Sequence, residues 1–185
     1  KVLDALHSFG AIDLIGIHFH IGSQITDLSS FKNLCTRVNE IQDFLSSQKI
    51  ELEHINVGGG LGINYDAPED QSIPDYEAFF AVFDDFLELR PNQKLHFELG
   101  RSIVGNMGYV LSKVLYVKQG VKTQFAILDS GMTELIRPSL YQATHHLVNL
   151  DKWYRKDIPQ ERYDIVGPIC ESSDVLRKSM MLPKT

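Results

Sequence analysis

With 185 residues, 43% hydrophobic and 23% charged, the chain is long enough for one domain with a proper core or for pieces of two, and its composition is that of an ordinary soluble protein. A formal charge of −6 without any run of Lys or Arg argues against nucleic acid or an anionic membrane as partner. No apolar run approaches the ~18 residues needed to cross a bilayer, and nothing reads as a signal peptide.

The chain starts at Lys1, without Met, inside an apparent helix (KVLDALHSFG), which suggests an internal fragment. IDLIGIHFH, Ile12 to His20, is a continuous apolar and β-branched run, the pattern of a strand buried on both faces. A helix should follow, with Leu28, Phe31, Leu34, Cys35, Val38, Ile41 and Leu45 on one stripe. LEHINVGGG reads as a second strand, and after a long loop a helix is expected from about Asp75 to Arg90, closed by Pro91. KLHFELG is a third strand. Strand starts recur about every forty residues, as in successive βα units of a parallel sheet.

From Gly108 the rhythm changes. YVLSKVLYVK alternates, QGVKT is a turn, QFAILD is a strand, and THHLVNL and YDIVGP follow without a long helix between them. This predicts mainly antiparallel β structure, with LDKWYRKDIPQER as a polar connecting loop. The boundary falls between Ser102 and Gly108, giving an α/β region over 1–104 and a β-rich region over 105–185. The two cysteines, one on an apolar helical stripe and one beyond a strand, do not form a disulfide framework, so a reducing, cytoplasmic setting is the default.

In each βα unit the unusual residues gather at the C-terminal end of the strand, the edge where parallel α/β folds place their sites. The first unit offers His18, His20, Gly22 and Ser23, the second Gly58, Gly59, Gly60 and Gly62, and the third Glu98, Gly100 and Arg101. His18 and His20 point to the same face of a strand, which leaves a metal site, a cofactor pocket and a plain polar strand end open. A zinc reading would recruit His54, His96 or Glu98, but those two histidines lie mid-strand and the glycines favour phosphate over metal. Three consecutive glycines let backbone N–H groups approach an anion, and Ser23 could add a hydroxyl; the alternative is a tight turn that needs positive φ. A carboxylate at Glu98 needs a partner, either Arg101 three residues on or a ligand nitrogen. Cys170, in GPICESSD, is not in a core setting, and the neighbouring Glu171 disfavours its thiolate, which suits a proton donor better than a nucleophile.

Taken in order, HFHIGSQ, NVGGGLG, ELGRSIVG, LDSGMTELIRPSLY and VGPICESSDVL resemble the pyridoxal-phosphate decarboxylases of the alanine-racemase-like barrel fold, fold type III, and within them the branch acting on diaminopimelate. The resemblance implies part of a (β/α)8 TIM-type barrel followed by the start of a β domain. It implies a cytoplasmic lyase of lysine biosynthesis that decarboxylates meso-2,6-diaminopimelate to L-lysine. Two alternatives within it are a decarboxylase for another amino acid or polyamine precursor and a non-catalytic, cofactor-binding regulator. His20 would stack on pyridoxal 5'-phosphate, so that no metal is needed, and Ser23 with Gly58, Gly59 and Gly60 would hold its phosphate. Glu98 would bond the pyridine nitrogen, within a cofactor-binding Glu98-Leu99-Gly100-Arg101 segment in which Leu99 stands where the family usually has Pro. Arg101, Arg137 and Tyr141 would bind the substrate, Cys170 would protonate Cα, and Glu171 would read the amino-acid end that is kept. Cys170 and Glu171 would act in the partner's site of a homodimer. The family's Schiff-base lysine has no counterpart here, so this chain alone would be inactive.

Overall fold

The computed structural model describes residues 3, 5, 8–70, 73–152, 154, 155 and 157–185. Half of the helix expected over Lys1–Gly10 lies outside the described residues, as do Trp153 and Lys156 of the expected polar loop. The chain divides into two compact units, Lys1–Ile63 with Ser72–Asn106, and Asn64–Gln71 with Met107–Thr185.

The first unit is a three-stranded parallel sheet of β1 (Gly16–His18), β2 (His54–Asn56) and β3 (Lys94–His96), in that spatial order. Helix α1 (Ser29–Ser47) joins β1 to β2, and α2 (Tyr76–Phe86) joins β2 to β3, so each crossover is helical, as a parallel ladder demands. The predicted stripe of α1 is the buried one: Phe31, Leu34, Cys35, Val38 and Leu45 pack on Ile55 and Val57 of the sheet side and on Phe79 and Phe83 of α2. Burial pushes the Cys35 thiol up to about 11, which makes it an inert core residue.

Two expectations are corrected in this unit. The strands are not buried on both faces: in β1, β2 and β3 and the residues that continue their ladder, Ile17, Phe19, Ile55, Val57, Leu95 and Phe97 join the apolar core. The alternate residues, led by His18, Asn56, His96 and Glu98, are polar and face away from it. Helix α2 also stops four residues short of Arg90. It is capped at its start by Asp75, whose side chain accepts from the Ala78 N–H at 2.9 Å. At its end, Asn39 of α1 donates to the Phe86 carbonyl at 2.9 Å and accepts from the Glu88 N–H at 3.0 Å. The Gln42 amide adds a bond to the Glu88 carbonyl at 3.2 Å. These side chains take the backbone groups that another helical turn would have used, so Leu87 turns extended before Pro91 can act.

The second unit is a four-stranded sheet in the order β4 (Val114–Gln119), β5 (Gln124–Leu128), β6 (Gln160–Val166) and β7 (Val175–Pro183). The β4–β5 hairpin closes at the predicted turn, where the Gly120 N–H bonds the Thr123 carbonyl at 2.8 Å. Its core holds Ala126, Leu128, Tyr163, Ile165 and Leu176. The expectation of antiparallel pairing holds for β4–β5 and β6–β7, but β5 and β6 are parallel. The thirty-odd residues that connect them are long enough for such a crossover. The stretch THHLVNL, expected as a strand, lies in that crossover and forms none. Leu147 packs on the core, while Thr144 and His146 spend their side chains on Asp66 at 3.0 and 3.3 Å rather than on a ladder. No helix among the described residues is long and apolar enough to cross a membrane.

Candidate functional site

The pairing register sets the layout of the first unit. Gly16, His54 and Lys94 lie level, and so do His18, Asn56 and His96. Bonds from the Phe19 N–H to Asn56, from the Val57 N–H to His96 and from the Glu98 N–H to Gly58, at 2.8, 3.0 and 2.8 Å, carry the ladder past the strand ends. The next level on the same face is therefore His20, Gly58 and Glu98. Three residues far apart in sequence thus share one polar rim.

Glu98 is held from two sides. The Asn56 amide donates to Oε1 at 3.0 Å, and His18 Nε2 lies 3.2 Å from Oε2. The Asn56 bond, the His18 bond and the positive charge available to His18 and His20 keep its carboxyl below the usual range, so it is an ionised acceptor at neutral pH. Asn56 also accepts the Gly58 N–H at 2.8 Å, which ties the carboxylate's partner to the glycine turn. Below it, His54 Nδ1 and His96 Nε2, on successive levels of the ladder, stand 2.8 Å apart. Among the described residues no group of three or more His, Cys, Asp or Glu side chains is placed to hold a metal ion.

The glycines are needed twice over. Gly58 and Gly60 have φ of +71° and +104°, and a Cβ at Gly58, Gly59 or Gly60 would run into the carbonyl oxygen of Phe19, Glu98 or Gly22 respectively. The loop carrying Ser23 is strapped to this turn by bonds from the Ile25 N–H to Gly60 and from the Gly62 N–H to Ile25, at 2.8 and 2.9 Å. The N–H groups of Gly59 and Gly60 have no acceptor among the described residues, and the Ser23 side chain is exposed on the strapped loop. Free amides, a hydroxyl and no side chain in the way fit an anion of phosphate size. His20 lies over Gly58, close enough that an added Cβ would come within 3.1 Å of its Nδ1.

Beyond Glu98, Leu99 packs on the apolar core and Gly100 is the N-cap of the short helix α3 (Arg101–Val104). Arg101 Nη1 donates to Gln24 Oε1 at 3.2 Å, while Gln24 Nε2 bonds the Ile63 carbonyl at 2.5 Å. Gln24 therefore links the Ser23 loop, the glycine loop and Arg101.

Arg137, Tyr141, Cys170 and Glu171 belong to the second unit. The first two begin and end helix α4 (Arg137–Tyr141), and Cys170 and Glu171 are exposed in the loop from β6 to β7. That loop is organised by Asp174, only 3% exposed. Its carboxylate accepts from the Met132 N–H at 2.7 Å and from the Ile169 N–H at 2.9 Å, which compensates the buried charge. Ser139 of α4 adds a bond to the Ser173 carbonyl at 2.6 Å.

Sequence reasoning missed Asn56, Gln24 and Asp174. The alternation His54, Asn56, Gly58 marks Asn56 as sharing Glu98's face, and an acid just before the apolar start of β7 marks Asp174. Nothing local marks Gln24.

Residues 9–185 match the family model described as pyridoxal-dependent decarboxylase, C-terminal sheet domain. Diaminopimelate decarboxylase of Bacteroides thetaiotaomicron is 56% identical over 184 residues, covering 100% of this chain and 47% of that protein. The enzyme of the same name from Neisseria meningitidis serogroup B is 42% identical over 90% of this chain and 39% of its own length. A solved structure of diaminopimelate decarboxylase from M. jannaschii with L-lysine superposes with a TM-score of 0.82 at 34% identity, over 100% of this chain and 42% of that one. The chain thus spans less than half the length of these relatives.

Proposed function

This chain belongs to the pyridoxal-dependent decarboxylase family, and from that premise we propose that the full-length protein converts meso-2,6-diaminopimelate to L-lysine and carbon dioxide in the cytoplasm. The observation that carries the reading is Glu98, an ionised carboxylate held by Asn56 and His18 on the same rim as His20 and the open glycine turn. Bound pyridoxal phosphate supplies an electron sink for the carbon–carbon bond that breaks. Glu98 would hold a proton on the cofactor's pyridine nitrogen, His20 would stack on its ring, and the Gly59 and Gly60 amides with Ser23 would take its phosphate. Arg101, Arg137 and Tyr141 bind the substrate, with the arginines on the carboxylate that is kept. Cys170 delivers a proton to Cα after carbon dioxide leaves, and Glu171 binds the ammonium of the retained end. Cys170 and Glu171 serve the partner's site in a homodimer. In this reading residues 1–104 are part of a (β/α)8 barrel and residues 105–185 part of the β domain beyond it.

The test is carbon dioxide release by the full-length protein with pyridoxal phosphate, from meso-diaminopimelate beside lysine, ornithine and arginine. Release from diaminopimelate alone is expected. Release from another of the four overturns the roles given to Arg137 and Glu171. No release from any removes the catalytic reading.

Asn56 yields a pH prediction. Because Glu98's carboxyl is depressed chiefly by the Asn56 bond, the ionised form, and the grip on the pyridine nitrogen, persist until pH falls below the ordinary glutamate value of about 4.3. Asn56→Ala removes that bond and should move acid-induced cofactor release to higher pH. The cofactor's absorbance, followed through an acid titration of the full-length holoenzyme, reads the midpoint; an unchanged midpoint contradicts the role of Asn56.

A further inference from the structure

We propose that Tyr65 and His145 are positioning residues for substrate recognition, which clamp the Arg137 guanidinium so that only its terminal edge is presented to a carboxylate. The proposal rests on the reading of Arg137 as the group that takes the substrate's retained carboxylate, and it adds what determines that arginine's orientation. Three contacts carry it. The guanidinium carbon of Arg137 lies 4.5 Å from the centroid of the Tyr65 ring. Its Nη1 donates to His145 Nε2 at 3.1 Å. The Tyr65 and His145 rings meet edge to face, with centroids 4.6 Å apart and planes at 67°.

A guanidinium has five N–H donors in one plane and no acceptor, so His145 must accept through Nε2 and carry its proton on Nδ1. Stacking on Tyr65 fixes the plane of the fork, and the bond to His145 fixes its rotation within that plane. The Arg137 Nε is fully covered and has no hydrogen-bond partner among the described residues, which closes the side edge of the fork. What is left for an anion is the edge formed by Nη2 and the second hydrogen of Nη1, the geometry that takes a planar carboxylate end-on. The clamp is itself supported. Asp66, next to Tyr65, accepts from Thr144, next to His145, at 3.0 Å, and Arg177 Nη1 reaches both the Asp66 carboxylate and the His145 carbonyl, at 3.5 and 3.4 Å. Tyr65 lies in the short Asn64–Gln71 segment that follows the glycine loop and clusters with the second unit. The same crossing of the chain thus brings the ring to the arginine.

The experiment uses the full-length holoenzyme and two readouts, the dissociation constant of L-lysine by calorimetry and the steady-state constants for meso-diaminopimelate. Tyr65→Leu and His145→Leu should each weaken lysine binding and raise KM by about tenfold or more, with kcat within about threefold of wild type and cofactor affinity unchanged. Tyr65→Phe keeps the ring and His145→Gln keeps an acceptor, so both should stay within about threefold of wild type in all constants. The inference is overturned if the leucine variants bind lysine as wild type does, or if they lose cofactor and kcat together with KM, as a general loss of structure would produce. Arg137→Met separates the two layers of the argument. If that variant binds lysine normally, the reading of Arg137 itself falls; if it loses lysine while Tyr65→Leu does not, only the clamp is wrong.

Discussion

Cys170→Ala in the full-length enzyme is expected to lower carbon dioxide release from diaminopimelate by a factor of about 100 to 10,000, the usual worth of a positioned proton donor. The thiol is exposed in a surface loop, so its removal takes away no core contact and leaves no cavity, and the melting temperature should stay near that of wild type. Cofactor binding should persist as well, because the residues proposed to hold the cofactor lie in the other unit. Stopped-flow measurement of carbon dioxide together with cofactor absorbance separates the two effects. Turnover within threefold of wild type would remove Cys170 from the mechanism and leave the protonation to solvent or another group.

The second large effect concerns the glycine turn. Gly58→Ala places a methyl group where φ is +71°, a conformation that costs an alanine about 1–2 kcal/mol before any contact is counted. That methyl also meets the Phe19 carbonyl, a backbone oxygen whose strand is fixed by the ladder, and so it cannot be absorbed by a side-chain rotation. The expected result is loss of most cofactor affinity, at least tenfold, with a lowered melting temperature. Gly108→Ala is the matched control, since Gly108 lies outside the proposed cofactor site, its φ is not in the left-handed region and an added Cβ meets nothing within 4 Å. It should be neutral or stabilise by about 0.4–1 kcal/mol through the unfolded chain. Equal behaviour of the two variants would refute the view that close approach of neighbouring strand ends dictates these glycines.

Much of this arrangement is legible before any coordinates. The apolar runs at Ile17, Ile55 and Leu95 mark the three strand centres, and the spacing of Phe31, Leu34, Cys35 and Val38 marks the helix that covers them. What periodicity could not decide was which alternate residues face solvent, because histidine and glycine interrupt an apolar run without looking polar. The early end of α2 was hidden for a different reason: Asn39, nearly fifty residues upstream, supplies the competing hydrogen bonds. THHLVNL misled because Leu147 packs on a core without belonging to a ladder. In the site, Glu98, His20 and the glycines stand out as chemistry at strand ends, whereas Asn56 is visible only once the register is known. Tyr65 and His145 are 80 residues apart, and no local pattern couples them.

Asp174 fastens the backbone at Ile169 and again through its own N–H, which bonds the Glu171 carbonyl at 3.0 Å. The segment between those fixed points is Cys170 to Ser173, too short to sample many shapes once its ends are held. The conformational entropy of ordering the thiol is thus spent when the chain folds rather than at each encounter with substrate or with a second subunit. Hydrogen exchange should register this economy as slow exchange at the Met132 and Ile169 amides, both held by Asp174, while the loop's own side chains lie open to water.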